Sequence, residues 1–432
     1  MIAGIPAHLV AASVLVIGAV VALLLISMLS TNSILASVVG AIFAIVALLV
    51  GAFGPQPSLA VVGICAIALL ALLVLPVLQT AVPAHVAEVS ALLLLGSAGG
   101  IALAGATDLL QAVIGLETLA LSAVILVALG RGDRCLEASF KYFVLGAISL
   151  AGLLYGVGLV YLGTGSFGFP TADQVSANPL TLAGVVLVVL GLCFELAVFP
   201  LHWGALDAYT AAAASVAGFV MSASKLAAAY ALGRVVLSAG APAAPLLVWI
   251  GCLTIIWGTF GALAHGRTLR RMLAYSAITH AGFIGLALGC LPNGPNTAVF
   301  YAGLYASMAM LVFAALAGTG AEPELRTMGR GRALALALGL FALSGIPPTP
   351  GFWAKLAVLV VAWQSAGPLP TLIAAAGGVF SVLYYLRPVP DLLAALRAEG
   401  ATPRVVLPGV VLATILVVIV SLAPGIAWTL AR

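Results

Sequence analysis

Apolar runs of about 20 residues follow one another from Ala7 to the far end of the chain, and a run of that length crosses roughly 30 Å of hydrocarbon as a helix. In lipid the backbone must satisfy its own hydrogen bonds, which leaves a helical bundle or a closed β-barrel. A barrel needs segments of about 10 residues with apolar and polar positions alternating. These runs are continuous instead. Only 6% of the 432 residues are charged and 64% are apolar, against about 25% charged in soluble domains. The sequence predicts an all-α polytopic membrane protein.

Hydropathy and the Gly/Pro punctuation place about 14 transmembrane helices at 7–29, 32–52, 58–79, 84–105, 107–129, 138–162, 180–200, 208–237, 245–264, 271–291, 297–319, 332–364, 370–387 and 405–423. They group as N-terminal helices 1–3 (1–83), a first repeat of helices 4–8 (84–240), a second repeat of helices 9–13 (241–390) and C-terminal helix 14 (391–432). The run Ala11–Leu29 lacks a charged region before it, so it is expected to insert as a helix rather than be cleaved as a signal peptide. Cys65, Cys135, Cys193, Cys252 and Cys290 show no metal-ligand spacing and read as small buried hydrophobes.

Orientation follows from the 16 Lys and Arg residues. Twelve fall in odd-numbered loops: Arg131, Arg134 and Lys141; Arg267, Arg270 and Arg271; Arg326, Arg330 and Arg332; Arg387, Arg397 and Arg404. By the positive-inside rule those loops are cytoplasmic and both termini face outward. The same distribution favours one broken span over 332–364, because a hairpin there would move Arg387, Arg397 and Arg404 outside. The cluster Arg267, Arg270 and Arg271 is expected to touch lipid headgroups or orient the chain.

The membrane interior is expected to hold four charged side chains: Glu117, Glu195, Lys225 and Lys355. Each costs about 3 kcal/mol at the bilayer centre, on the order of 12 kcal/mol together if unpaired. They either lock helices as buried ion pairs or line an ion pathway. Gly and Ala glue helices at lower cost, which favours the pathway. Pro200 follows Glu195, and Pro347, Pro348 and Pro350 precede Lys355. A proline frees carbonyls of the preceding turn, which is tolerated at membrane depth only inside protein or beside a water-filled cavity. Interruptions at corresponding places of two segments point to two inverted five-helix repeats with broken helices 7 and 12. His202 is expected to cap the broken end or to carry protons, and Asp207 to act as the N-cap of span eight.

Several stretches then resemble a known family. Lys141-Tyr-Phe-Val-Leu-Gly-Ala-Ile-Ser-Leu, with Leu-Leu-Tyr155-Gly and Gly163-Thr-Gly165-Ser, resembles span six of the antiporter-like membrane subunits of respiratory complex I, the NADH-quinone oxidoreductase. Pro200-Leu-His202-Trp203, Asp207-Ala-Tyr209 and Ser222-Ala-Ser-Lys225 resemble its span seven-to-eight signature. Arg270-Arg-Met-Leu-Ala-Tyr275-Ser-Ala-Ile-Thr-His280-Ala-Gly282 resembles the entry to span ten, and Gly345-Ile-Pro-Pro-Thr-Pro-Gly351-Phe-Trp-Ala-Lys355 the broken span twelve. The likeness covers roughly residues 105–390.

The resemblance implies a proton-translocating subunit with no redox centre of its own. It marks Glu117, Lys225, His280 and Lys355 as pathway residues, and His265 as a polar link between the halves. It also exposes two departures: Glu195 stands where the family has a lysine, and Ala211-Ala-Ala-Ala-Ser-Val216 replaces a proline-containing turn. In the expected chemistry, burial disfavours the ammonium form of Lys225 and a nearby carboxylate favours it. Glu117 and Glu195 would be its partners, titrating as a coupled pair if they are close. Lys355 would be the exit-side carrier, fed through His265 and His280. Glu195 can alternatively be inert in a degenerate half-channel.

Other classes remain open: a subunit of a multisubunit cation/proton antiporter or membrane-bound hydrogenase, a stand-alone transporter, or a non-pumping structural subunit. No dinucleotide fingerprint or metal-ligand cluster occurs in the sequence. No cofactor is therefore expected in this chain, and FMN, iron–sulfur clusters and quinone are expected in partner subunits. The expected partners are other membrane-arm subunits and the lipid bilayer, not nucleic acid. The expected location is the bacterial inner (plasma) membrane.

Overall fold

The structure, a computed structural model, describes residues 6–29, 33–54, 59–75, 85–130, 132–266, 268–319, 323–397, 408–423 and 425. Arg131, Arg267 and Arg404 lie outside them. The helices are α1 Ala7–Leu29, α2 Ser33–Phe53, α3 Leu59–Leu73, α4 Val86–Ala104, α5 Leu109–Ala128, α6 Asp133–Thr164, α7 Ala172–Ala177, α8 Pro179–Leu196 and α9 Trp203–Ala211. They continue as α10 Ala214–Ala239, α11 Ala244–Ala264, α12 Leu269–Leu288, α13 Gly294–Ala315, α14 Arg330–Ser344, α15 Pro350–Ser365, α16 Pro368–Leu386, α17 Val389–Arg397 and α18 Pro408–Leu422. Among the described residues no strand forms beyond an isolated bridge between Asp108 and Gly168. Nine stretches there are long and apolar enough to cross a membrane: α1, α4, α5, α6, α8, α10, α11, α13, and Pro368–Arg397 across α16 and α17. The chain is an all-α, multi-pass membrane protein.

Helices α10 and α13 form the centre, each 94% buried over its span, whereas α6 is 22% buried and presents Phe140, Ile148 and Leu162 outward. Small residues let the inner helices approach closely. A Cβ on Gly99 of α4 would stand 2.6 Å from the backbone nitrogen of Leu119 in α5. At Gly258 of α11 a Cβ would stand 2.5 Å from the nitrogen of Thr279 in α12.

The helix breaks position the polar groups. Helix α8 stops at Leu196 because Ala197 adopts a left-handed conformation, φ 63°. The N–H groups of Ala197 and Val198 turn back onto the carbonyls of Phe194 and Cys193, closing the helix end. The next N–H, of Phe199, donates to the Thr254 hydroxyl at 3.0 Å. Pro200 lies in the turn that follows, ahead of α9. Helix α14 likewise ends at left-handed Gly345, φ 84°, with Pro347 and Pro348 in the gap. Pro350 is the first residue of α15, where its missing N–H is no loss.

A second interruption separates α9 from α10 at Ala212 and Ala213. Span eight was expected from 208; it begins at Ala214. The alanine run has high helix propensity, but its carbonyls are taken by other groups. The Cys135 thiol meets the Ala211 carbonyl at 3.4 Å, and the Arg270 guanidinium donates to the Ala212 carbonyl. Arg270 is 3% exposed and stacks over Phe313, so it does not reach lipid headgroups. Asp207 sits within α9 and is not an N-cap. It pairs with Arg271 at 2.7 Å and Lys141 at 3.4 Å. His202 occupies the N-cap position of α9 without a side-chain cap bond, its ring packed against Phe199 and Trp257.

The basic loops meet at one end. Arg387 donates to the Leu263 carbonyl at 2.6 Å, Arg326 pairs with Asp391 at 2.8 Å, and Arg271 and Lys141 share Asp207. Arg270→Ala leaves the buried Ala212 carbonyl unpartnered and should cost about 1–3 kcal/mol. Arg326→Ala breaks an exposed pair and should cost less than about 1 kcal/mol. Thermal midpoints in detergent check the order of the two.

Candidate functional site

At the basic end a vestibule of about 340 Å³ is lined by Arg134, Glu137, Lys141, Asp207 and Arg271. Beside Lys141 on α6, Tyr142 is 2% exposed and stacks on Phe194 of α8 at 5.5 Å between centroids. Glu195 follows in the last turn of α8, 1% exposed, and neither of its carboxylate oxygens has a well-formed hydrogen bond. The Ser224 side chain of α10 lies beside it. Glu117 of α5 is half-buried and lines the same cavity of about 200 Å³ as Tyr142 and Glu195.

Lys225 is fully buried in α10. Its Nζ donates to the Tyr209 hydroxyl at 3.3 Å and lies 4.9 Å from the Tyr209 ring centroid and 5.8 Å from that of Tyr305. Glu195 and Lys225 feel each other's charge without an ion pair; the pairs found among the described residues join other groups. The ammonium is therefore held by a hydroxyl and by aromatic faces, whose negative quadrupole attracts a cation.

His280 of α12 stands between the two lysines. Its ring lies 4.8 Å from that of Tyr305, its Nδ1 bonds the Tyr301 hydroxyl at 2.7 Å, and its Nε2 meets the Tyr385 hydroxyl at 3.2 Å. Tyr385 in turn bonds Ser276. Both Lys225 and Lys355 act on His280 through their charge. Lys355, 8% exposed, donates to the Ser344 carbonyl at 2.6 Å and to the Ser381 hydroxyl at 2.8 Å. Ser344 is the last residue of α14, so the ammonium of one half-helix caps the negative dipole end of the other.

Of the six ionisable residues singled out from the sequence, five thus fall in one interior file: Glu117, Glu195, Lys225, His280 and Lys355. His265 does not. It is exposed at the C-cap of α11, its Nδ1 on the Gly261 carbonyl at 3.0 Å and its ring stacked on Tyr275. The sequence reading missed the hydroxyl groups between the charges: Tyr142, Tyr209, Tyr301, Tyr305, Tyr385, Ser276 and Ser381. Buried tyrosines generally find a polar partner, but their helices gave no sign of which one.

Residues 106–382, a stretch holding all six of these residues, match the family described as NADH:quinone oxidoreductase/Mrp antiporter, TM. The chain belongs to this family. A relative from Laribacter hongkongensis, the NADH-quinone oxidoreductase subunit N, is 38% identical over 327 residues, covering 70% of this chain and 66% of that protein. The chain spans about two thirds of the length of such relatives. Among solved structures, a chain of respiratory complex I from Thermus thermophilus is 29% identical with a TM-score of 0.77, covering 97% of this chain and 98% of that one. A chain of an archaeal membrane-bound sulfane sulfur reductase has a TM-score of 0.81 at 24% identity, over 98% of this chain and 96% of that one, and shares the fold.

Gly345→Ala tests how the break holds Lys355. The left-handed backbone alone costs an alanine about 1–2 kcal/mol, and the new Cβ would stand 3.1 Å from Lys355 Nζ. The thermal midpoint should fall, and more than for Gly152→Ala, whose Cβ meets nothing.

Proposed function

We propose that this chain is a proton-translocating membrane-arm subunit of an NADH-quinone oxidoreductase, coupling remote electron transfer to proton movement. The observation that carries the reading is the buried file from Glu195 through Lys225 and His280 to Lys355. The relatives named subunit N and the complex I fold support it. Protons enter at the vestibule and pass Tyr142 to Glu195. Neutralising Glu195 removes a charge that favours the ammonium form of Lys225, so the lysine releases its proton toward Tyr305 and His280. The hydroxyls of Tyr301 and Tyr385 both donate and accept, and they orient the imidazole so that it can pass a proton on. Lys355 receives it, held by the Ser344 carbonyl and Ser381 until it leaves. His265 has no part in this path.

The same reading includes fourteen spans in two inverted five-helix repeats, residues 84–240 and 241–390. Each repeat opens on a glycine-mediated crossing, α4 on α5 and α11 on α12. Each also carries a helix broken at a left-handed residue ahead of a proline-containing gap, α8 at Ala197 and α14 at Gly345. The basic end faces the cytoplasm and both termini the opposite side of a bacterial plasma membrane, in keeping with the gathered arginines. FMN, iron–sulfur clusters and quinone belong to partner subunits of the complex, and the neighbouring membrane-arm subunits cover part of the exposed apolar faces.

The test is proton pumping by the reconstituted complex carrying Lys355→Met or Glu195→Gln. Removing a positioned proton carrier costs roughly 100-fold or more in transfer rate, so the proton/electron ratio should drop in both. An undiminished ratio in both overturns the pathway.

A further inference from the structure

Helix α9 is nine residues long and has a break on either side, after Leu196 and at Ala212–Ala213. The hydrogen-bond ladder of neither α8 nor α10 runs through it, so its seat is set by contacts with other helices. Along α6 it is held at three points. A Cβ on Gly204 would stand 3.1 Å from the Cα of Tyr142, the Asp207 carboxylate meets Lys141 at 3.4 Å, and the Cys135 thiol meets the Ala211 carbonyl at 3.4 Å. Against α12, Asp207 meets Arg271 at 2.7 Å, and Arg270 donates to the Ala212 carbonyl just past the helix end.

Asp207 and Tyr209 are two residues apart, about 200° around a helix, and so leave α9 on opposite sides. The Asp207 side chain is 33% exposed and faces the vestibule, together with Arg134, Glu137, Lys141 and Arg271. Tyr209 is 1% exposed and faces the interior, where its hydroxyl accepts from Lys225 Nζ at 3.3 Å. That bond is at the long end of the usual range, so a small roll of α9 breaks it. A single exposed ion pair would hold α9 weakly. Here four charges alternate in a chain: Glu137 meets Lys141 at 2.6 Å, and Asp207 offers one carboxylate oxygen to Lys141 and the other to Arg271.

We propose that Asp207 is a positioning residue of the proton path. By clasping Lys141 of α6 and Arg271 of α12 it sets the roll of α9, and the roll of α9 keeps the Tyr209 hydroxyl on Lys225. The proposal rests on the reading of the buried file as a proton path and ties one of its lysines to charges at the basic surface. The clasped side chains are 28–47% exposed, so water takes over the charges left behind when one partner is removed.

The experiment measures the proton/electron ratio of the reconstituted complex in vesicles. Asp207→Asn, which keeps the size of the side chain and removes its charge, should lower the ratio about 2–5-fold, the range expected for a partly exposed charge network. Asp207→Glu, which keeps the charge, should restore it. Tyr209→Phe should lower the ratio at least as much as Asp207→Asn, and the double variant should fall no lower than Tyr209→Phe alone, because both act through one hydroxyl. Arg271→Gln opens the same clasp from α12, should repeat this pattern, and serves in place of Asp207→Asn if that variant does not assemble. A wild-type ratio in Asp207→Asn or in Tyr209→Phe overturns the proposal. So do losses that multiply in the double variant, or an Asp207→Glu no better than Asp207→Asn, since either marks a merely structural carboxylate. Lys225→Met is read in the same vesicles. Its loss of pumping beside a wild-type Asp207→Asn overturns the positioning role alone, and a wild-type ratio in Lys225→Met overturns the path itself.

Discussion

Buried charge without a direct ion-pair partner is the constraint on which this architecture depends. Lys225 and Lys355 lie inside a helical bundle, and the groups that hold them are hydroxyls, aromatic faces and a severed helix end. A direct Glu195–Lys225 ion pair would fix both charges in place, and removing one partner of such a pair strands the other at a cost of about 3–5 kcal/mol. Neutral partners leave the charge free to change. The break at Gly345 follows from the same requirement, because an unbroken helix offers no free carbonyl to an ammonium, and Lys355 takes that of Ser344.

Arginines do for the helix ends what Lys355 does for α14. Arg270 holds the Ala212 carbonyl, Arg332 the carbonyls of Ala315 and Ala317, Arg387 that of Leu263, and Arg234 that of Ala106. Helix C-termini leave four carbonyls unsatisfied, and in lipid these have no water to turn to. A guanidinium with five donors serves them well. Several helix ends are thereby closed by side chains from distant parts of the sequence.

How much of this was legible in the sequence depended on the kind of signal. Continuous apolar runs gave the membrane class, and the prolines at 347 and 348 gave the break in span twelve, because both signals are local. The gap at Ala212–Ala213 was marked only by the family resemblance, since an alanine run is by itself a good helix and the Arg270 that takes the Ala212 carbonyl is distant in sequence. Asp207 read as an N-cap because its partners Arg271 and Lys141 come from other helices. His265 and His280 looked alike as histidines beside apolar runs. Burial separates them: one is exposed at a helix end, the other 2% exposed among tyrosines. Glu195 was legible as an anomaly, and the structure supplies its setting, a cavity shared with Glu117.

That distinction between the two histidines gives the most direct test of the interior file. Proton flux driven by electron transfer is measured in vesicles holding the reconstituted complex, with His280→Phe and His265→Phe compared to wild type. The account predicts a lowered proton/electron ratio for His280→Phe and a wild-type ratio for His265→Phe. A normal ratio in His280→Phe, or a loss in His265→Phe alone, would contradict it.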